Sequence, residues 1–209
     1  MYLSRIKLNT ARTDTMRALA APNRFHGALE SCDDESTRKL WRIDTLAGER
    51  YLLILSEKVI DLSKAAEQFG YDRSYESKVY DGLLERIVNG SRWQFRLTAN
   101  PTIQKYDEKK GRGRVLAHIT PEHQINWLKE RSVRLGFELN DDEWTVTGSK
   151  WYSFRKNKDS RNTVKLLAVT FEGILTVTDA DAFRQTLTGG VGREKAYGMG
   201  LLTVTRVPL

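Results

Sequence analysis

At 209 residues, with 40% hydrophobic and 29% charged residues, the chain has the make-up of one large folded domain or two of roughly 100 residues each, without the apolar deficit of a disordered polypeptide. Lys and Arg number 34 against 27 acids, and the formal charge of +7 favours a polyanionic partner: RNA, DNA or an anionic membrane. The membrane is disfavoured because the longest apolar run, Tyr51 to Leu55, falls far short of the roughly 18 residues that cross a bilayer.

Tyr2, Ser4, Ile6 and Leu8 alternate with Arg5 and Lys7, the pattern of a half-buried strand with one basic face and not that of a secretory leader. A cytoplasmic protein is therefore expected. Thr13 or Asp14 can cap a helix that Pro22 interrupts, and Asn23 can cap its restart, which places His26 near a helix N-terminus. Strands follow at Lys39 to Leu46 and Tyr51 to Leu55 with a turn at Gly48, then a helix from Leu62 to Phe69 closed by Gly70. Residues 72–89 carry no clear pattern. Arg92 to Ala99 alternates Trp93, Phe95 and Leu97 with polar residues and ends at Asn100-Pro101. The first half thus reads β-α-β-β-α-β, the order of a ferredoxin-like domain, over residues 1–101.

Residues 102–114 are polar, basic and glycine-containing, and are expected to be an exposed linker. Thr120-Pro121 opens a helix whose buried stripe is Ile125, Leu128 and Leu135 and whose end is Gly136. Strands are expected at Glu143 to Phe154, Val164 to Phe171 and Ile174 to Val177, then a helix from Asp179 to Thr188 and a strand from Leu201 to Val207. The whole is expected to be an α+β protein of tandem ferredoxin-like, RRM-like domains, with antiparallel sheets, helices on one face, and the second domain over residues 115–209.

Three features carry chemistry. Gly189 to Gly200 crowds glycines around Arg193 and Lys195, so that Gly190, Gly192, Gly198 and Gly200 can bring backbone amides close to a phosphate. A dinucleotide fold needs such glycines between a strand and the next helix; here they lie between a helix and the last strand, which excludes it. His26 can transfer a proton near neutral pH, as attack of a 2′-hydroxyl on its phosphate requires. Lys150, Arg155, Lys156, Lys158 and Arg161, interleaved with Trp151, Tyr152 and Phe154, form a cationic hairpin tip. Arg112 and Arg114 are further phosphate candidates. Cys32 has no cysteine partner for a disulfide or a zinc site and is read as a buried apolar filler; His118 and His123 are read as structural or surface residues.

The loop Gly190-Val191-Gly192-Arg193-Glu194-Lys195-Ala196-Tyr197-Gly198-Met199-Gly200, followed by Leu201 and Leu202, resembles that of the Cas6 superfamily of CRISPR RNA endonucleases. Met1-Tyr2-Leu3-Ser4-Arg5, His26-Gly27-Ala28-Leu29, Phe95 through Pro101, and Phe171-Glu172-Gly173 before Leu175 resemble its CasE branch, found with Cascade. The resemblance implies a catalytic histidine at His26, a cyclic-phosphate product, and no metal or other cofactor. It also implies cleavage at the 3′ base of the repeat stem-loop, and a product kept by the enzyme as a subunit of Cascade, against the backbone protein. Some relatives carry a tyrosine where this chain has Asn23. Arg24, Lys156 and Lys158 are then the candidates to stabilise the transition state. The alternative is a tandem RRM-like protein that binds the hairpin without cutting it.

Overall fold

The computed structural model describes residues 1–33, 37–108, 111–155 and 163–207. The first half comprises β1 (Tyr2–Leu8), α1 (Thr13–Ala20), α2 (Asn23–Glu30), β2 (Lys39–Leu46), β3 (Glu49–Ser56), α3 (Ser63–Phe69) and β4 (Gly70–Val79). The four strands form one antiparallel sheet in the order β2-β3-β1-β4. Alternation in β1 does what the sequence requires: Ser4, Ile6 and Leu8 are buried while Arg5 is exposed. Ile6, Leu8, Leu52 and Ile54 pack against Ala18, Phe25, Leu29, Ala66 and Phe69, so α1, α2 and α3 cover one face of the sheet. Cys32 packs partly buried at its margin.

The strand expected to complete this half, Arg92 to Ala99, belongs instead to the second sheet. It is β5 (Arg92–Ala99), paired with β10 (Thr163–Val177) and β11 (Leu202–Arg206). Its place in the first sheet is taken by β4, which the unpatterned stretch concealed. As an edge strand bonded only to β1, β4 is largely solvated and carries Asp72, Arg73, Glu76 and Lys78 where a central strand would be apolar. The chain crosses from one sheet to the other through α4 (Asp81–Leu84), ahead of the boundary expected at 102–114.

The second half runs β5, β6 (Thr102–Asp107), β7 (Arg112–Ala117), α5 (Pro121–Ser132), β8 (Phe137–Glu138), β9 (Trp144–Arg155), β10, α6 (Ala180–Gly189) and β11. Its main sheet is antiparallel in the order β11-β5-β10-β8, with β9 also on β10. The expected linker is a separate two-stranded ribbon, β6 on β7. The two strands expected at Val164 to Phe171 and Ile174 to Val177 are one, because Gly173 (φ +148) keeps the strand continuous where a Cβ would meet the Trp144 backbone at 2.3 Å. Thr120 caps α5, and Gly136 (φ +84) closes the turn after it, as read from sequence. The buried stripe of α5 is Gln124, Trp127, Leu128 and Ser132, with Ile125 and Leu135 only partly buried. With two antiparallel sheets, each covered by helices, the fold is the α+β tandem expected from the sequence.

The halves are locked together by Arg42, which is 1% exposed. Its guanidinium grips Asp44 through two 2.7 Å bonds and donates to Arg96 O, Leu201 O and Thr203 Oγ1, all across the junction. An open groove of about 450 Å³ lies beside it between the two sheets. No helix among the described residues is long and apolar enough to cross a membrane.

Candidate functional site

α2 is short and starts one residue earlier than capping by Asn23 would require: Pro22 occupies the cap, and Asn23 is the first helical residue. Phe25 and Leu29 anchor the buried face, with Phe25 against Phe69 (4.8 Å) and Trp41 (5.7 Å). Arg24 and His26 are thereby turned outward; the His26 side chain is 40% exposed. One turn on, Glu30 brings Oε1 to 3.9 Å from Nδ1 of His26, an ion-pair separation and not a hydrogen bond. Glu30 is in turn held by Lys39, whose Nζ lies 3.6 Å from the same oxygen and 3.0 Å from Asp33. Only 2% of the Lys39 side chain is exposed, so this ammonium is a fixed charge behind the helix.

The second half supplies the other wall. Asn23 Nδ2 donates to Arg155 O at 3.3 Å, and Lys150 Nζ donates to Leu19 O at 3.2 Å, near the C-terminus of α1. The helix pair that carries His26 therefore rests on the outer end of β9. Lys150 also sits 4.5 Å over the Tyr152 ring, and burial, with Arg50 nearby, holds its ammonium below the ordinary lysine range. Arg155 is exposed at the far end of the same strand. Of the interleaved aromatics, Tyr152 and Phe154 turn inward toward Met199 and Tyr197, whereas Trp151 is exposed. Lys156, Lys158 and Arg161 lie outside the described residues.

The glycine-rich loop has a different role from the one its composition suggests. Gly198 and Gly200 are buried, and their amides donate inward, to Lys195 O (3.2 Å) and Thr98 O (2.6 Å). A Cβ at Gly198 would lie 2.6 Å from the Trp41 ring, and at Gly190 2.9 Å from Leu40. Gly190 and Gly198 let the loop close against the first half, Gly200 lets it close on its own Val191 (a Cβ there would lie 2.5 Å from the carbonyl oxygen), and the expectation that these three present amides to phosphate is corrected accordingly. Gly192 and Arg193 remain exposed. Lys195 is half-buried in the turn Lys195–Tyr197, which packs against α2; burial and the neighbouring Arg38 hold its ammonium low. Arg112 and Arg114 stand on β7, far along the chain from α2 and on the projecting ribbon.

Sequence reading missed Glu30, Lys39 and Arg42. The His26/Glu30 spacing of four was there to be read, but the buried partner Lys39 comes from a different element, and nothing local marks it. Among the described residues no three His, Cys, Asp or Glu side chains gather as metal ligands do.

A family profile described as CRISPR associated protein matches residues 1–206. The chain belongs to this family of CRISPR-associated proteins. The likeness to one curated relative holds over nearly the whole length. The Thermus thermophilus protein named CRISPR-associated endoribonuclease Cse3 is 31% identical over 216 residues, which cover 98% of this chain and 99% of that one. The Escherichia coli protein named CRISPR system Cascade subunit CasE is 30% identical over 118 residues, 53% of this chain and 56% of its own. A solved structure of Cse3 bound to a 19-nucleotide RNA superposes with a TM-score of 0.79 at 28% identity, covering 98% of this CRISPR-associated chain and 100% of Cse3.

Proposed function

We propose that this CRISPR-associated protein is an endoribonuclease that cuts CRISPR precursor RNA at the 3′ base of the repeat stem-loop, with His26 as its proton-transfer residue. The reading is carried by the full-length match to an RNA-bound endoribonuclease. Its chemistry is supported by the exposed imidazole on α2, set beside the cationic end of β9. The 2′-hydroxyl attacks the adjacent phosphate, the 5′-oxygen of the next nucleotide leaves, and a cyclic phosphate remains. One proton leaves the nucleophile and one reaches the leaving oxygen; His26 takes part in that transfer. The pentacoordinate transition state gathers negative charge, which Arg24 and Arg155 on the exposed rim stabilise, together with Lys156 and Lys158. Protein groups supply both the proton transfer and the charge, so no metal is required.

Lys150, Arg155, Arg161, Gly192, Arg193 and Lys195 contact the hairpin phosphates, with Arg112 and Arg114 on the ribbon as outer contacts. The cut hairpin stays bound, and the protein remains on it as a Cascade subunit beside the backbone protein, as the name of the E. coli relative supports.

Cleavage of a repeat RNA in EDTA tests the proposal. Full activity is expected, with loss in His26→Ala at unchanged hairpin affinity, and loss on a substrate with a single 2′-deoxy nucleotide at the cut. Undiminished cleavage by His26→Ala, or dependence on a divalent cation, overturns it.

A further inference from the structure

The start of α5 and its last turn carry a cluster of imidazole and guanidinium groups outside the site described above. At the base of the β6–β7 ribbon, His118 follows β7 directly and is tied to α5 through Gln124, whose buried Nε2 donates to His118 O (2.9 Å) and Ile119 O (3.0 Å). The rings of His118 and His123 lie 5.7 Å apart. Thr120 Oγ1 accepts the His123 backbone N–H (3.4 Å) and lies 2.8 Å from His123 Nδ1. That contact engages Nδ1 of the exposed His123 ring, whose other nitrogen, Nε2, is not engaged by Thr120.

Arg131 stands nearby with its guanidinium 4.6 Å above the Trp127 ring and Nη1 donating to Trp127 O at 2.8 Å, so its fork is fixed before any ligand arrives. Burial, and then the neighbouring Arg134, push it below the ordinary arginine range. Burial also holds the His118 imidazole low, followed by the charges of His123, Arg131 and Lys105; Glu130 alone opposes them. On the ribbon, Lys105 stands directly opposite Arg114 in register. Like charges placed this way cost stability and return it only when an anion comes between them.

These groups form one track. The exposed Gly192 lies against the Trp127 ring, with its Cβ position 3.2 Å away, so the Arg193 end of the glycine-rich loop adjoins the indole that carries Arg131. From there the track continues through the imidazoles of His123 and His118 to the cations Lys105 and Arg114. Acids along it include Glu122 and Glu130 on α5, the latter 3.8 Å from Arg131 Nη1, Glu194 next to Arg193, and Asp107 opposite Arg112 in the ribbon register.

We infer that Arg131, His123 and His118 form a second phosphate seat, joining the glycine-rich loop to the ribbon, which holds the single RNA strand flanking the hairpin. The inference rests on the RNA reading above and adds to it a surface remote from His26. Fixed guanidinium and imidazole donors on a partly buried, cation-crowded face suit the spaced charges of a sugar-phosphate backbone.

The test compares two RNAs on the full chain: the repeat hairpin alone, and the same hairpin with single-stranded extensions on both sides. Binding is measured from about 50 to 200 mM salt, where two single-strand phosphate contacts change affinity about sevenfold. The extended RNA is expected to show that extra salt dependence. Arg131→Gln with His123→Gln should abolish it while leaving the bare hairpin's affinity unchanged, and Glu130→Gln, at a fully solvated position, should raise it. Because Arg131 packs on Trp127, His123→Gln alone, at an exposed position, provides a variant free of the core; it should lose part of the extension's contribution. If the extension contributes equally in wild type and all these variants, the seat does not exist, although hairpin binding and cleavage stand. If the hairpin itself fails to bind, both readings fall.

Discussion

Replacing Arg42 by Met tests whether the junction between the halves is held by one guanidinium. The side chain is 1% exposed and makes five hydrogen bonds of 2.7 Å, two to Asp44 and three to the β5 and β11 strands. In Arg42→Met, Asp44, itself 6% exposed, keeps among the described residues only Arg96 as an ion-pair partner, at 3.7 Å, the Leu201 carbonyl loses the guanidinium, and the Arg96 carbonyl is left with the long 3.5 Å bond from Thr203 Oγ1. Removing one partner of a buried pair costs about 3–5 kcal/mol. The adjoining groove admits water to Asp44, so about 3 kcal/mol is the expected loss, or roughly 6–12 °C in Tm for a chain of this size. Adding Asp44→Leu removes the stranded charge and should return most of that loss, since a paired buried ion and an apolar pair of similar volume are close in stability. Thermal denaturation followed by circular dichroism reads both variants. A single-variant loss under about 1 kcal/mol, or a double variant no more stable than the single, refutes the reasoning.

Gly198→Ala should destabilise by about 2–4 kcal/mol in urea titrations, combining φ +79 with a methyl driven into the Trp41 ring; Gly27→Ala, a helical position with nothing near, should be neutral or slightly stabilising. Arg155→Gln should lower the salt slope of hairpin binding by about 0.7 to 0.9, one phosphate contact, and Lys150→Met by less, since its ammonium is already committed to Leu19 O and the Tyr152 ring. For His118 the folded protein disfavours the proton, through burial first and then the neighbouring cations, so its contribution to stability is present above the ordinary histidine range and lost as pH falls through it. His118→Asn should therefore flatten the decline in Tm below about pH 6.5, and an unchanged pH profile would contradict this.

The divide between what was legible and what was not follows the range of the forces. Strands such as Tyr2–Leu8 and Arg92–Ala99 announce themselves because burial of one face imposes period two on neighbouring residues; Thr120-Pro121 announces α5 because its backbone donors need that local chemistry. Order and spacing along the chain sufficed for the family, and with it for naming His26 as the candidate. β4 stayed hidden because an edge strand has no buried face to pattern, and β5 went to the wrong sheet because alternation names a strand without naming its neighbour. The same limit applies to the site. Glycines at 198 and 200 signal close approach, but whether the approaching group is a phosphate or Trp41 depends on residues far away in sequence.

Sequence by itself determined most of the element types and the basic character, and named the candidate histidine, all from properties of a residue and its near neighbours. Only the tertiary structure decided that Lys39 stands behind Glu30, that Arg42 bolts one half to the other, and that Arg131 adjoins the loop, because charges and hydrogen bonds act through space between segments that the chain order leaves apart.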